Sequence, residues 1–173
     1  LASIFPWCYE MPPPIETEIK NSLRKPIYII KAGKAELDQA AMLFDLYRQF
    51  YQQEANAPLA KRYLEQMLTT ESSIIYLAMD AAGNAIGFTQ VYPSYCSVEA
   101  EAILILYDLY VKKEARKNGV GKALMNQAMQ LAKETGASRI DLETAINNTS
   151  AQSLYESLGY ERDIEFHKYS LEL

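Results

Sequence analysis

The stretch "AEAILILYDLYV", Ala100 to Val111, is apolar at both odd and even positions. A strand with that pattern has no face to turn to water, so it belongs at the centre of a sheet covered on both sides. Six charged residues and two glycines follow within "KKEARKNGVGK". Val120, Leu124, Ala128 and Leu131 then recur at helical spacing up to Gly136, a residue suited to closing a helix.

The flanking sequence supplies the remaining layers. "IYIIKA" (Ile27 to Ala32) has the density of a strand, and "AELDQAAMLFDLYRQFYQQ" places Leu37, Ala41, Phe44 and Tyr47 or Tyr51 on one helical face. A second helix is expected from about Pro58 to Thr69, with proline in its first turn. "SSIIYLAMDAAGNAIGFTQVYPSY" reads as a hairpin turning across Asp80 to Asn84. "RIDLET" is a strand and "TSAQSLYESLG" a short helix, and "YERDIEFHKYSLEL" is expected to give a last strand or pair. The order β, α, α, β, β, β, α, β, α, β, β describes an α+β fold. It is one domain with a central mixed, mostly antiparallel, twisted sheet and helices on both faces.

A chain of 173 residues with 49% apolar content suits a single core. Residues 1–26 hold five of the seven prolines and no useful periodicity, so an extended or loosely ordered arm is expected there, with 27–173 as the domain. A chain opening at Leu1 is expected to lack its natural start or to carry foreign sequence. The formal charge of -5 argues against nucleic acid as the main partner. No apolar run is long enough for a membrane span and no leader pattern is recognisable, so a cytoplasmic location is expected. Two scattered cysteines, Cys8 and Cys96, support neither a disulfide framework nor a metal site.

The turn "ARKNGVGKAL" suggests an anion, and its spacing excludes two familiar phosphate loops. A Walker loop fails because Arg116 stands at the first glycine and Ala123 replaces the required hydroxyl. A dinucleotide fingerprint fails because Leu124 occupies the third glycine position. What remains is R-x-x-G-x-G, Arg116 to Gly121, where the first amides of a helix can cradle a pyrophosphate beside Arg116, Lys117 and Lys122. An ordinary strand-to-helix turn using glycine for backbone freedom alone is the alternative.

Further on stands "NTSAQSLYESLGY", Asn148 to Tyr160. Together the two segments resemble motifs A and B of the GNAT superfamily of N-acetyltransferases, in the family's order and separation. The resemblance implies acetyl-CoA as the acyl donor and no metal. Leu109, Tyr110 and Val111 would bind the pantetheine arm through their main chain. Arg116, Lys117, Asn118, Gly119, Val120, Gly121 and Lys122 would hold the pyrophosphate, and Asn148 and Ala151 would lie near the thioester. Tyr155 matches a tyrosine that, in many members, protonates the departing thiolate; core packing with Leu154 and Leu158 is its other reading.

The acceptor would be a primary amine attacking directly in a ternary complex. An alkyl ammonium with a pKa of about 10.4 presents about 4.6 kcal/mol of deprotonation cost at pH 7, so a base or a water chain is expected. Asp108, a carboxylate inside the apolar strand, is the first candidate and Glu143 the second. For both, capping a turn or pairing with a nearby lysine is the alternative. His167, the one histidine, sits near the C-terminus and makes a histidine base improbable.

In such proteins the early helices and the hairpin region shape the acceptor site. Here they carry Tyr47, Tyr51, Tyr63, Tyr92 and Tyr95 with Glu54, Glu65, Glu99 and Glu101, which suits a small cationic amine if these residues do more than fill strands and solvate the surface. A protein acceptor or a non-catalytic acyl-CoA-binding module are the competing readings. A homodimer is compatible with the resemblance.

Overall fold

The computed structural model describes residues 26–172. Five strands, β1 (Tyr28–Lys31), β2 (Ile74–Met79), β3 (Ala85–Cys96), β4 (Glu101–Val111) and β5 (Ile140–Leu142), lie in the order β1-β2-β3-β4-β5. The first three pairings are antiparallel and the last, β4 with β5, is parallel. Four helices complete the fold: α1 (Leu37–Phe50), α2 (Ala57–Thr69), α3 (Val120–Thr135) and α4 (Thr149–Ser157).

The sheet separates two apolar cores. Leu37, Leu43, Leu64, Ile75, Leu77 and Phe88 form one, under α1 and α2. Tyr76, Ala78, Val91, Leu104, Leu106, Val120, Leu124 and Met125 form the other, under α3, with Leu154, Tyr155 and Leu158 of α4 packed against it. Successive residues of β2 thus serve opposite cores, as the pleat requires. Both cores contact β4, which explains why its sequence carries no polar face.

Helix ends follow their capping chemistry. The Asn56 side chain accepts the Leu59 N–H at 3.0 Å to start α2, with Pro58 in the first turn. Asp45, buried at the end of α1, accepts bonds from Arg48, Gln49 and the Asn56 main chain, and so fixes the turn between α1 and α2. Gly119 and Gly136 bound α3 with φ of 85° and 72°.

The register of β3 on β4 breaks at one point. Gln90 faces Asp108, whereas the next residue, Val91, faces Leu106, so Tyr107 is an extra residue on β4. Such a bulge reverses the alternation beyond it. Leu104 and Leu106 point to the α3 core before it, and Leu109 and Val111 after it.

The expected terminal strand or pair is absent. Residues 160–172 form no strand, and Ile164, Phe166, Tyr169 and Leu171 are exposed. Asp163 accepts the main-chain N–H groups of Glu165 and Phe166, a local turn that competes with ladder bonds, and β5 offers only three residues as a template. The proposed arm, with Phe5, Trp7 and Cys8, lies outside the described residues. Cys96 is a free thiol, partly exposed. No described helix is long and apolar enough to cross a membrane.

Candidate active site

A cleft opens between the end of α1, the bulged part of β4 and the start of α4. Tyr47, Phe50 and Tyr51 form one wall and Asn148, Ser150, Ala151, Leu154 and Tyr155 the other, with Leu106, Tyr107, Leu109, Tyr110 and Val111 as the floor and Arg116 and Glu143 also lining it. The Asn148 side chain accepts the Ala151 N–H at 3.3 Å and so caps α4. With the Gln152 side chain donating to the Ala145 and Ile146 main-chain oxygens, this cap sets the entry of the helix that carries Tyr155.

The bulge determines what reaches the aromatic side. If Tyr107 were paired in a regular ladder, Asp108 would share the parity of Leu104 and Leu106 and point into the α3 core. With the bulge, Asp108 lies under α1, 8% exposed, in the neighbourhood of the Tyr47 hydroxyl. That hydroxyl donates to the Tyr107 main-chain oxygen at 3.3 Å. Burial pushes the Asp108 carboxyl up to about 6, and the neighbouring Tyr47 hydroxyl pulls the other way. Across the ladder, Gln90 is fully buried and donates to Ser73 Oγ at 2.6 Å, while its Oε1 has no hydrogen-bond partner.

Aromatic rings surround this carboxylate. Tyr47 packs edge-on against Tyr51 and Phe88, and Tyr92 against Tyr107. The Tyr63 and Tyr92 hydroxyls meet at 2.5 Å. Burial raises the Tyr47 and Tyr92 hydroxyls well above the usual phenol range, with Asp108 among the further causes for both. Tyr155 is pushed up to about 12, by burial first and then by Tyr51, so it remains protonated across the physiological range. Of the other tyrosines on this side, Tyr95 is 80% exposed and stands apart.

Glu143 reaches the same cleft but is exposed and paired with Lys168 at 2.6 Å. It therefore adopts the alternative considered for both carboxylates, a lysine pair, whereas Asp108 does not. Lys117, Asn118, Gly119, Val120, Gly121 and Lys122 form the turn into α3 beside the cleft and do not line it. The first helical hydrogen bond runs from the Ala123 N–H to the Gly119 oxygen at 2.9 Å, so the amides of Val120, Gly121 and Lys122 precede any intrahelical acceptor. A Cβ at Gly121 would lie 3.2 Å from Leu154 and 3.9 Å from Val111, so glycine keeps the turn close to both α4 and β4. Arg116 bonds the Val111 oxygen at 2.9 Å and stacks on Phe50 and Tyr110, beside that turn. Free amides, close approach and adjacent cationic side chains fit a diphosphate.

The model of the acetyltransferase (GNAT) family matches residues 40–160. The chain belongs to that family. Over 143 residues it is 39% identical to YhfO, an uncharacterized N-acetyltransferase of Bacillus subtilis, covering 83% of this chain and 95% of the relative. A probable acetyltransferase of Haemophilus influenzae is 26% identical over 84% of this chain and 97% of its own. A crystal structure of a probable acetyltransferase superposes with a TM-score of 0.79 at 38% identity, over 84% of this chain and 97% of that one. The aminoglycoside N-acetyltransferase AAC(6')-Iy in complex with CoA shares the fold, with a TM-score of 0.74 at 19% identity over 88% and 99% of the two chains. This GNAT protein is thus an acetyl-CoA-dependent acetyltransferase.

Several cleft residues escaped the reading of the sequence. Phe50, Tyr107 and the pairing of Tyr47 with Asp108 depend on the bulge and on where α1 ends. A signal was nonetheless present: apolar positions on β4 change from even at Leu104 and Leu106 to odd at Leu109 and Val111, the mark of an inserted residue.

Proposed function

We propose that the enzyme acetylates a primary amine on a small cationic molecule, by direct attack within a ternary complex. The observation that carries this reading is the Tyr47–Asp108 pair, which connects a buried carboxylate to the cleft containing Tyr155. The acyl donor supplies an activated thioester; its pantetheine arm would run along Leu109, Tyr110 and Val111, and its diphosphate would rest on the turn from Arg116 to Lys122.

The residues divide the proton work. Asp108, tuned to about 6, accepts the ammonium proton through the Tyr47 hydroxyl, because Tyr47 lines the cleft and Asp108 lies behind it. Tyr155, still protonated near neutrality, donates to the departing thiolate. Tyr47, Tyr51 and Tyr107 offer ring faces to a cation and keep bulk water from the carboxylate. Asn148 and Ala151 hold the start of α4 in place.

Thiol release in the presence of a panel of small amines tests this directly. Release that depends on an added primary amine and saturates with it is expected. A preparation that binds acetyl-CoA but releases no thiol with any amine would sink the proposal in favour of a binding module.

A further inference from the structure

Lys168 places a primary amine of the chain itself at the mouth of the cleft. Its Nζ lies 2.6 Å from Glu143 Oε2, and Glu143 lines the cleft together with Tyr107 and Tyr155. Of the two lysines in ion pairs among the described residues, Lys61 on Asp38 and Lys168 on Glu143, only the second has a partner in the cleft wall.

The contact does not lock the amine in place. Both side chains are more than half exposed, and a pair in that setting holds its partners only weakly. The tether matters more. Lys168 follows the end of α4 by one short segment without helix or strand. A group joined to its site by a short link experiences an effective concentration on the order of millimolar. That reaches the upper end of the roughly 1 μM to 1 mM range over which enzymes half-saturate with substrate.

We propose that the Lys168 ε-amine is an acceptor for the chain's own acetyl-CoA, so that the C-terminal segment becomes acetylated in cis. The inference rests on the amine-acetyltransferase reading above. In the step, the Lys168 ammonium gives one proton to the base, and its nitrogen then bonds to the thioester carbonyl carbon. The carbon–sulfur bond breaks, the thiolate takes a proton from Tyr155, and the nitrogen loses a second proton as the amide forms. The products are N-acetyl-lysine, free CoA and one proton. Acetylation removes the positive charge and with it the pair to Glu143, which leaves that carboxylate free to meet an external cation.

Full-length protein incubated with acetyl-CoA and no added amine, followed by intact mass and peptide mapping, tests the proposal. One acetyl group is expected, on Lys168, at a rate independent of protein concentration. Lys168→Arg, which keeps a cation for Glu143, should lose that increment. The same preparation is assayed for thiol release with the amine panel. Protein that acetylates added amines but leaves Lys168 unmodified overturns the inference, as does a rate that rises with protein concentration or equal labelling of Lys117 and Lys122. Acetylation of Lys168 without transfer to any small amine would uphold it and remove the small-amine reading instead.

Discussion

The Tyr47 hydroxyl stands between the cleft and the Asp108 carboxylate, held by the Tyr107 main-chain oxygen 3.3 Å away. Removing it leaves the burial of Asp108 unopposed by the Tyr47 dipole, so the carboxyl should titrate above its present value of about 6. Tyr47→Phe is expected to shift the acid limb of the kcat/KM profile to higher pH and to lower the rate at pH 7 by about 10²-fold. An unchanged limb with a uniformly lower rate would reduce Tyr47 to packing.

Asp108 also couples pH to stability. Its carboxyl is raised from 3.8 to about 6 on folding, so the native state holds that proton more tightly than the unfolded chain. Its burial adds no pH-dependent cost while both states are protonated, and that cost grows as pH rises from about 4 to about 6, reaching about 3 kcal/mol above that window. Asp108→Asn should therefore melt higher than the parent at pH 8, match it more closely near pH 4, and have little transferase activity at either. Thermal denaturation at the two pH values, set beside thiol release, checks the pairing of gain and loss.

Tyr155→Phe isolates the leaving-group proton. Turnover is expected to fall by about 10²-fold with CoA affinity nearly intact, because the ring still packs beside Leu154 and Leu158. Calorimetric titration with CoA separates this from a collapse of the cleft.

Two glycines test the donor side in different ways. At Gly121 a leucine would drive into Leu154, moving α4 away from the turn, and CoA affinity should fall while the fold persists. At Gly87 an added Cβ would meet the Tyr110 main-chain oxygen at 2.9 Å and Val120 at 3.1 Å. Gly87→Ala is expected to cost about 1–3 kcal/mol, readable as a lower urea midpoint.

How much of this was written in the sequence differs from one segment to the next. The core strand, the helices and the two glycine-bounded ends of α3 were legible because each has a local cause: apolar density, 3.6-residue spacing, or a position needing positive φ. The base candidate was legible because an acid amid leucines must have a reason to be there. Its pairing with Tyr47 was not, since it follows from one unpaired residue at Tyr107 and from a helix 60 residues earlier. The closing segment misled because Ile164, Phe166, Tyr169 and Leu171 have strand chemistry, while Asp163 bends the chain and β5 is too short to seat it.

The inserted residue at Tyr107 has a consequence for how such a protein can change. It divides one strand into two stretches whose side chains obey different phases, so substitutions upstream and downstream need not be matched to one another. Loss of that residue would make Leu106 and Asp108 consecutive in a regular ladder, so the carboxylate and Leu109 would keep their faces while the cleft lost the Tyr107 ring. A single-codon deletion there should therefore preserve both cores and be felt in the cleft alone.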